Sequence, residues 1–253
     1  MSNEILAAII AVLVSVLSAV ISIYGQTRTT ILEHRLVRQR EAESREEQTA
    51  ALIARYRNPL LRAAYNLQSR LYNIVQLDFY SKHYGEVAAD QEYAVKNTLY
   101  VVGEYLGWVE ILRRDVQFLD LGDIDMNRQL ETLMGAVTEI FLSDEIEPAF
   151  RLFRGEQRAA GEVMLLHRHS GEKAAYECLG YSEFVAKLDD EHFAHWFDRL
   201  EESIRLLIRE PRQHLQRLTQ LQHALVDLID FLDPHGIRIV KDTRLKASTP
   251  GKG

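Results

Sequence analysis

The chain has 253 residues, of which 26% are charged, and a formal net charge of −7 at pH 7. Residues 58–233 carry 18 basic and 30 acidic side chains, whereas residues 234–253 carry five basic side chains and one acidic side chain. An acidic body repels phosphate backbones, so nucleic acid is excluded as the expected partner. The single cysteine, Cys178, excludes an internal disulfide framework and is typical of a reducing compartment.

The N-terminal segment is strongly apolar. From Ile5 to Tyr24, twenty consecutive residues include no charged residue, proline or glycine. At about 1.5 Å per residue, a helix of this length matches a hydrocarbon core of roughly 30 Å. The alternatives are a cleaved signal, which would begin with Lys or Arg and have a shorter apolar run, and a buried core helix. We expect residues 1–24 to form a transmembrane anchor.

Basic residues follow this segment but do not precede it. Arg28, Arg35, Arg38 and Arg40 lie within the distance over which positive charge favours the cytoplasmic side. This bias predicts a single-pass protein of the cell (inner) membrane. Its N-terminus would lie outside, and the bulk of the chain would be cytoplasmic.

Small side chains recur every four residues along the predicted anchor. Ala7, Ala11, Ser15 and Ala19 would form one face on which two helices can approach closely. A homodimer through this face is one interpretation. The other is that Ala and Ser are simply tolerated in a membrane span.

The segment after the anchor, residues 25–57, is rich in charged helix formers and predicts a helical stalk. A coiled coil needs apolar positions sustained over several heptads. From Arg38 to Thr49 the only apolar residue is Ala42, so we expect a solvated single helix.

Residues 58–233 have the pattern of an all-α domain, an irregular multi-helix bundle. Asn58 and Pro59 are typical of a helix start. The last helix has a regular leucine seam and ends at Asp233-Pro234. Residues 167–180 are expected to be a polar loop, and residues 234–253 a basic, mostly unstructured tail. Further helices are predicted at about 93–118, 126–142, 148–166, 181–188 and 190–209.

The sequence contains none of the common catalytic or phosphate-binding motifs. His167, His169 and Cys178 have side chains that bind zinc, but a structural zinc site needs four ligands and a fourth is not evident. We therefore expect neither a metal nor a cofactor.

Two charged stripes lie on otherwise apolar helices. The first stripe is Arg154, Arg158 and Glu162, spaced i, i+4 and i+8. The second stripe is His223, Asp227 and Asp230, spaced i, i+4 and i+7. If both faced a cleft together with two glutamates of the 93–118 helix, they could bind a polar or anionic ligand. The alternative is ordinary salt bridging between helices. The residues of this candidate polar cleft are Glu104, Glu110, Arg154, Arg158, Glu162, His223, Asp227 and Asp230.

The segments "YRNPLLRAAYNLQSRLYNI", "YLGWVEILRRDVQFLDLG", "FRGEQRAAGE" and "LQHALVDLIDFLDP" resemble parts of uncharacterised bacterial single-pass membrane proteins with a cytoplasmic helical domain. The resemblance covers most of residues 55–234. It implies a bacterial source, and it implies no catalytic residue.

These observations predict a membrane-anchored cytoplasmic interaction, scaffolding or sensing module that binds an unidentified protein partner. The alternative is a membrane-tethered enzyme or small-ligand binder that uses the polar cleft. A third alternative is a membrane-surface protein whose tail contacts anionic lipid headgroups, at about 1 kcal/mol per basic residue near the surface. The residues of this membrane-surface tail are Arg238, Lys241, Arg244, Lys246 and Lys252.

Overall fold

The computed structural model describes residues 54–84, 87–115, 124–170 and 173–248, and before these only residues 14, 15, 18, 38–40 and 44. The chain divides into two compact units, Met1–Leu52 and Ile53–Gly253. The described residues of the first unit are helical and exposed.

The predicted anchor lies outside the described residues, apart from Val14, Ser15 and Ser18. Most of the predicted stalk before residue 54 lies outside them as well. Within the described part of the chain, no helix combines the length and the apolar character needed to cross a membrane.

The second unit is predominantly helical, which confirms the predicted all-α class for this part of the chain. Its first helix, α1, covers residues 54–77 and buries the apolar stripe of Leu60, Leu67, Leu71 and Ile74. The other α-helices are α2 (Phe79–His83), α3 (Ala88–Asp115), α4 (Ile124–Leu142), α5 (Arg154–Val163), α6 (Tyr181–Lys187), α7 (Glu191–Ala194), α8 (Asp198–Arg209) and α9 (Gln216–Leu232). Short 3-10 turns lie at His195–Phe197 and Lys241–Thr243.

Helix α9 confirms the predicted leucine seam. Its five members are each 3% exposed or less: Leu218, Leu221, Leu225, Leu228 and Leu232. The 3,4 spacing keeps these side chains on one face, and that face is buried in the core. Helix α4 packs against α9.

The expected polar loop at residues 167–180 instead contains an antiparallel hairpin. Strand β1 (Leu165–Ser170) pairs with β2 (Lys173–Cys178), with Leu165 opposite Cys178. The rings of His167 and Tyr176 face each other across the strands, with centroids 4.6 Å apart. Cross-strand pairs of this kind and contacts between β2 and α3 stabilise strands that polar composition alone does not predict.

The predicted helix at 148–166 begins only at Arg154. Phe150 adopts a positive φ of 59°, which no α-helix accommodates. The preceding turn is tied to the core by the buried guanidinium of Arg217. That group donates to the carbonyl oxygens of Ile140, Phe141, Ser143, Ile146, Glu147 and Ala149.

The chain after α9 is packed against the helices up to Ser248, unlike the mostly unstructured tail that composition suggested. The Asp233 carboxylate accepts hydrogen bonds from the backbone N–H groups of Ile237, Arg238 and Ile239. The buried Arg244 donates to the same carboxylate at 2.6 Å. We call residues 233–248 the fold-back, because these contacts hold the segment against the helices. Some of its basic side chains are therefore buried, as Arg244 is, whereas others are exposed, as Arg238 is.

Candidate functional site

Helices α3 and α5 approach very closely. A Cβ atom added at Gly161 of α5 would lie 2.6 Å from the carbonyl oxygen of Leu106 in α3. By the same measure, Cβ atoms added at Gly103 and Gly107 of α3 would lie 3.1 and 3.0 Å from the Met164 side chain. This contact brings part of the charged stripe of α5 beside Glu110 of α3.

Part of the predicted polar cleft assembles here as the α3–α5 charge cluster, which consists of Glu110, Arg113, Arg114, Arg158 and Glu162. Glu110 is buried and accepts from Arg113 Nε at 2.8 Å and Arg114 Nε at 2.7 Å. Arg114 also contacts Glu162 at 3.0 Å. Arg158 lies 4.0 Å from Glu110 and 3.8 Å from Glu162. Burial alone would raise the pKa of Glu110, but the two arginine hydrogen bonds outweigh it and lower that pKa.

The other predicted cleft residues lie elsewhere. Arg154 pairs with Glu139 of α4. His223, Asp227 and Asp230 of α9 face the fold-back, where their partners are the carbonyl oxygen of Ala247, Lys246 and Arg244, respectively. The eight residues therefore do not form one cleft, and most of them act as inter-element salt bridges.

Some of the predicted membrane-surface residues have partners within the protein, and others are exposed to solvent. Arg244 is 4% exposed and Lys246 is ion-paired 2.7 Å from Asp227. Arg238 and Lys241 are exposed. Lys252 lies outside the described residues. Three aliphatic side chains close to these two cations in sequence are also exposed: Ile237, Val240 and Leu245.

The remaining predicted residue, Glu104, lines a cavity of about 390 Å³ between α1, α3 and the connection from β2 to α6. We call this cavity the α1–α3 pocket. Its volume is within the range of small-molecule sites. It is lined by Asn58, Pro59, Arg62, Tyr100, Glu104, Trp108, Cys178, Leu179 and Gly180.

The Glu104 carboxylate is half-buried and lightly hydrogen-bonded. It accepts from Asn66 Nδ2 at 3.0 Å and lies 3.4 Å from the Tyr100 hydroxyl. Burial raises its pKa, against the opposing effects of these two hydrogen bonds and of the Arg62 charge. A half-buried carboxyl with a raised pKa inside a cavity is a common mark of a functional site.

A second cavity, of about 610 Å³, shares Asn58 and Arg62 with the α1–α3 pocket. It is also lined by Ile237 and Arg238 of the fold-back. Arg62 therefore borders both cavities, and its side chain is exposed to solvent.

Cys178 forms part of the pocket wall. Its Sγ lies 3.9 Å from the carbonyl oxygen of Glu104, and burial raises the thiol pKa to about 12. The thiol is therefore neutral at pH 7 and unsuited to act as a nucleophile. In the described part of the chain, no group of three or more His, Cys, Asp or Glu side chains is arranged to hold a metal ion.

Sequence reasoning found Glu104 but missed its neighbours. Arg62 and Asn66 are one turn apart on α1, and Tyr100 and Glu104 are one turn apart on α3. Each pair is compatible with an ordinary helix surface. These four side chains form a recognisable site only when α1 and α3 lie side by side.

Comparisons with protein-family models, curated proteins and solved structures found nothing that matches this chain.

Proposed function

We propose that this protein is a membrane-anchored helical sensing or interaction module that binds a small polar ligand in the α1–α3 pocket. The observation that carries this proposal is Glu104, a half-buried carboxylate in a cavity of about 390 Å³ that also contains Arg62. A half-buried carboxylate in a partly apolar cavity is costly unless a hydrogen-bond donor or an opposite charge compensates it. Binding at this site is the function that the geometry favours.

Binding is favoured over catalysis by the chemistry of the pocket lining. Burial is the main cause that raises the pKa of the Tyr100 hydroxyl and of the Cys178 thiol, so both stay protonated at neutral pH. Among the lining residues, Glu104 has no second carboxylate or histidine beside it to complete an acid–base pair. A membrane-tethered enzyme remains the alternative proposal.

The ligand-binding proposal is tested by thermal-shift measurements on the full chain in detergent micelles against small amines, carboxylates, zwitterions and neutral amides. We expect at least one class to raise the melting temperature of the parent protein but not of Glu104→Gln. The matched control is Glu131→Gln, an exposed glutamate of α4, which should respond like the parent. Identical shifts in the parent and Glu104→Gln for every compound, or no shift at all, would contradict the proposal.

We also propose that residues 5–24 anchor the protein in a bacterial inner membrane, with the second unit in the cytoplasm. The support is the twenty-residue uncharged stretch and the four arginines that follow it. The reverse orientation would carry those arginines and a large acidic domain across the bilayer. A homodimer through Ala7, Ala11, Ser15 and Ala19 stays a prediction, as does an unidentified protein partner.

The orientation is tested by cysteine labelling in a Cys178→Ser background. With Ser248→Cys, a membrane-impermeant maleimide should label the protein only after spheroplasts are lysed. With Ser2→Cys, it should label intact spheroplasts. Labelling of position 248 in intact spheroplasts would refute the orientation.

The fold-back offers a smaller lipid-contact surface than its net charge suggested, because Arg244 and Lys246 are already paired. We propose that Arg238, Lys241 and the exposed Ile237 and Val240 contact anionic headgroups. If so, Ile237→Ser combined with Arg238→Gln should weaken binding of the Ile53–Gly253 unit to phosphatidylglycerol vesicles. Binding equal to that of the parent unit would exclude this surface.

A further inference from the structure

The hydrogen-bonding capacity of Glu104 is only partly used. An ionised carboxylate offers about four acceptor positions. Asn66 occupies one of them, at 3.0 Å. The Tyr100 hydroxyl lies 3.4 Å from Glu104 and 3.3 Å from the carbonyl oxygen of Leu179, and its single proton can serve only one acceptor at a time. Among the described residues, Asn66 and Tyr100 are the hydrogen-bond partners of the Glu104 carboxylate, so at least two of its acceptor positions have no described donor.

The positive charge of the pocket belongs to Arg62, which can also contact a ligand. Arg62 acts on Glu104 through its charge, but these two described side chains do not come within the 4.0 Å of a salt bridge. A guanidinium has five N–H donors in a planar fork that fits a carboxylate with two parallel hydrogen bonds. The two charges thus lie in one cavity without neutralising each other by direct contact.

The pocket lining is also partly aromatic and apolar. Trp108, Tyr100 and Pro59 line the pocket together with Leu179. Aromatic faces attract ammonium groups and also pack against short aliphatic chains. A ligand with a small apolar body between two charged ends is complementary to this arrangement.

We propose that the α1–α3 pocket binds a small zwitterion, a molecule with an ammonium group for Glu104 and a carboxylate for Arg62, as in an amino acid. The proposal rests on the ligand-binding function proposed above. A ligand with only an ammonium group would leave Arg62 without a partner and would approach a second positive charge. A ligand with only a carboxylate would meet the same difficulty at Glu104.

The test compares matched ligands on the full chain in detergent micelles by calorimetry, with tryptophan fluorescence as a second signal because Trp108 lines the pocket. One set is L-leucine, 3-methylbutylamine and 4-methylpentanoate. The other is 4-aminobutyrate, butylamine and butyrate, which places the two charges further apart. We expect at least one zwitterion to bind about tenfold more tightly, or more, than both of its singly charged counterparts.

Substitutions in the pocket test which residue binds each charged end of the ligand. Glu104→Gln and Arg62→Gln should each weaken zwitterion binding about tenfold or more, because each removes one charge-assisted contact. Glu131→Gln and Arg209→Gln, exposed positions on α4 and α8, should bind like the parent. Binding of a zwitterion that neither pocket variant weakens would place the ligand elsewhere and overturn the proposal.

The outcomes separate this proposal from the proposed function. If an amine or a carboxylate binds as tightly as its zwitterion and Glu104→Gln alters that binding, the zwitterion is wrong but the ligand-binding function stands. The same holds if neither zwitterion binds at 10 mM while the broader thermal-shift panel yields a ligand that depends on Glu104. If no compound in either experiment depends on Glu104, both proposals fail.

Discussion

Arg217 gives the sharpest test of how the helical unit is held together. Its guanidinium is fully buried, and the hydrogen bonds it makes to described residues all go to backbone carbonyl oxygens. Three of these bonds are 2.9 Å long and end on Ser143, Glu147 and Ala149, in the turn between α4 and α5. Burial lowers the pKa of Arg217, and the charge of Glu147 opposes that effect.

The change to make is Arg217→Met, which keeps an unbranched side chain as far as the position of Nε and removes every donor. A buried carbonyl left without a donor costs about 1 kcal/mol or more, so the three best bonds give about 3 kcal/mol. The Phe141 carbonyl oxygen also accepts from the Leu152 N–H and keeps that donor, so the other five carbonyls together give about 5 kcal/mol. Removing a buried charge also relieves its desolvation, so we take the lower cost for each bond. The free energy of unfolding should fall by about 3–5 kcal/mol, and the melting temperature by about 6–20 °C.

The measurement is a urea titration of the full chain in detergent micelles, followed by the fluorescence of Trp108 and Trp196. The matched control is Arg209→Met in α8, where the side chain is exposed and a change within about 0.5 kcal/mol is expected. A change below about 1 kcal/mol for Arg217→Met would refute the view that these carbonyl bonds stabilise the turn.

Two further predictions concern packing and acid stability. Gly161→Ala should destabilise the unit by about 2 kcal/mol or more, because the new Cβ would lie 2.6 Å from the Leu106 carbonyl oxygen. Gly155→Ala in the same helix, where nothing lies within 4 Å, should be neutral or stabilising by up to about 1 kcal/mol, and equal effects would contradict the close approach. Burial would raise the Asp233 pKa, but backbone N–H groups and Arg244 outweigh it and lower that pKa. Its stabilisation is therefore complete above the unfolded pKa of about 3.9 and is lost as pH falls through the folded value. Asp233→Asn should flatten the pH dependence of unfolding between about pH 5 and pH 2, and an unchanged profile would contradict this.

The sequence pattern was sufficient to predict those structural features that depend on one continuous stretch of chain. The leucine seam of α9 repeats every three or four residues, so its burial is predictable from that helix alone. Asn58 and Pro59, by contrast, suggested a start that the structure places earlier, since α1 already covers residue 54. Helix boundaries depend on neighbouring contacts and are therefore less predictable than helix existence.

Polar side chains were the least predictable part of the chain. The stripe of Arg154, Arg158 and Glu162 is a correct helical pattern, yet Arg154 turns to α4 while the other two join Glu110 of α3. A periodic pattern specifies which residues share a face. It does not specify which partner each long, flexible side chain reaches, because that depends on elements many residues away.

The sequence by itself determined the helical class, the apolar N-terminal stretch and the buried face of α9, because each is a property of consecutive residues and of their spacing. Only the tertiary structure decided that Arg62, Tyr100 and Glu104 share a pocket and that Arg217 binds a distant turn. Hydrogen bonds form only at donor–acceptor distances of about 3 Å, and charge interactions between exposed groups are largely screened beyond roughly 10 Å at physiological salt. Such interactions exist only after the apolar faces have packed, so no local stretch of sequence encodes them alone.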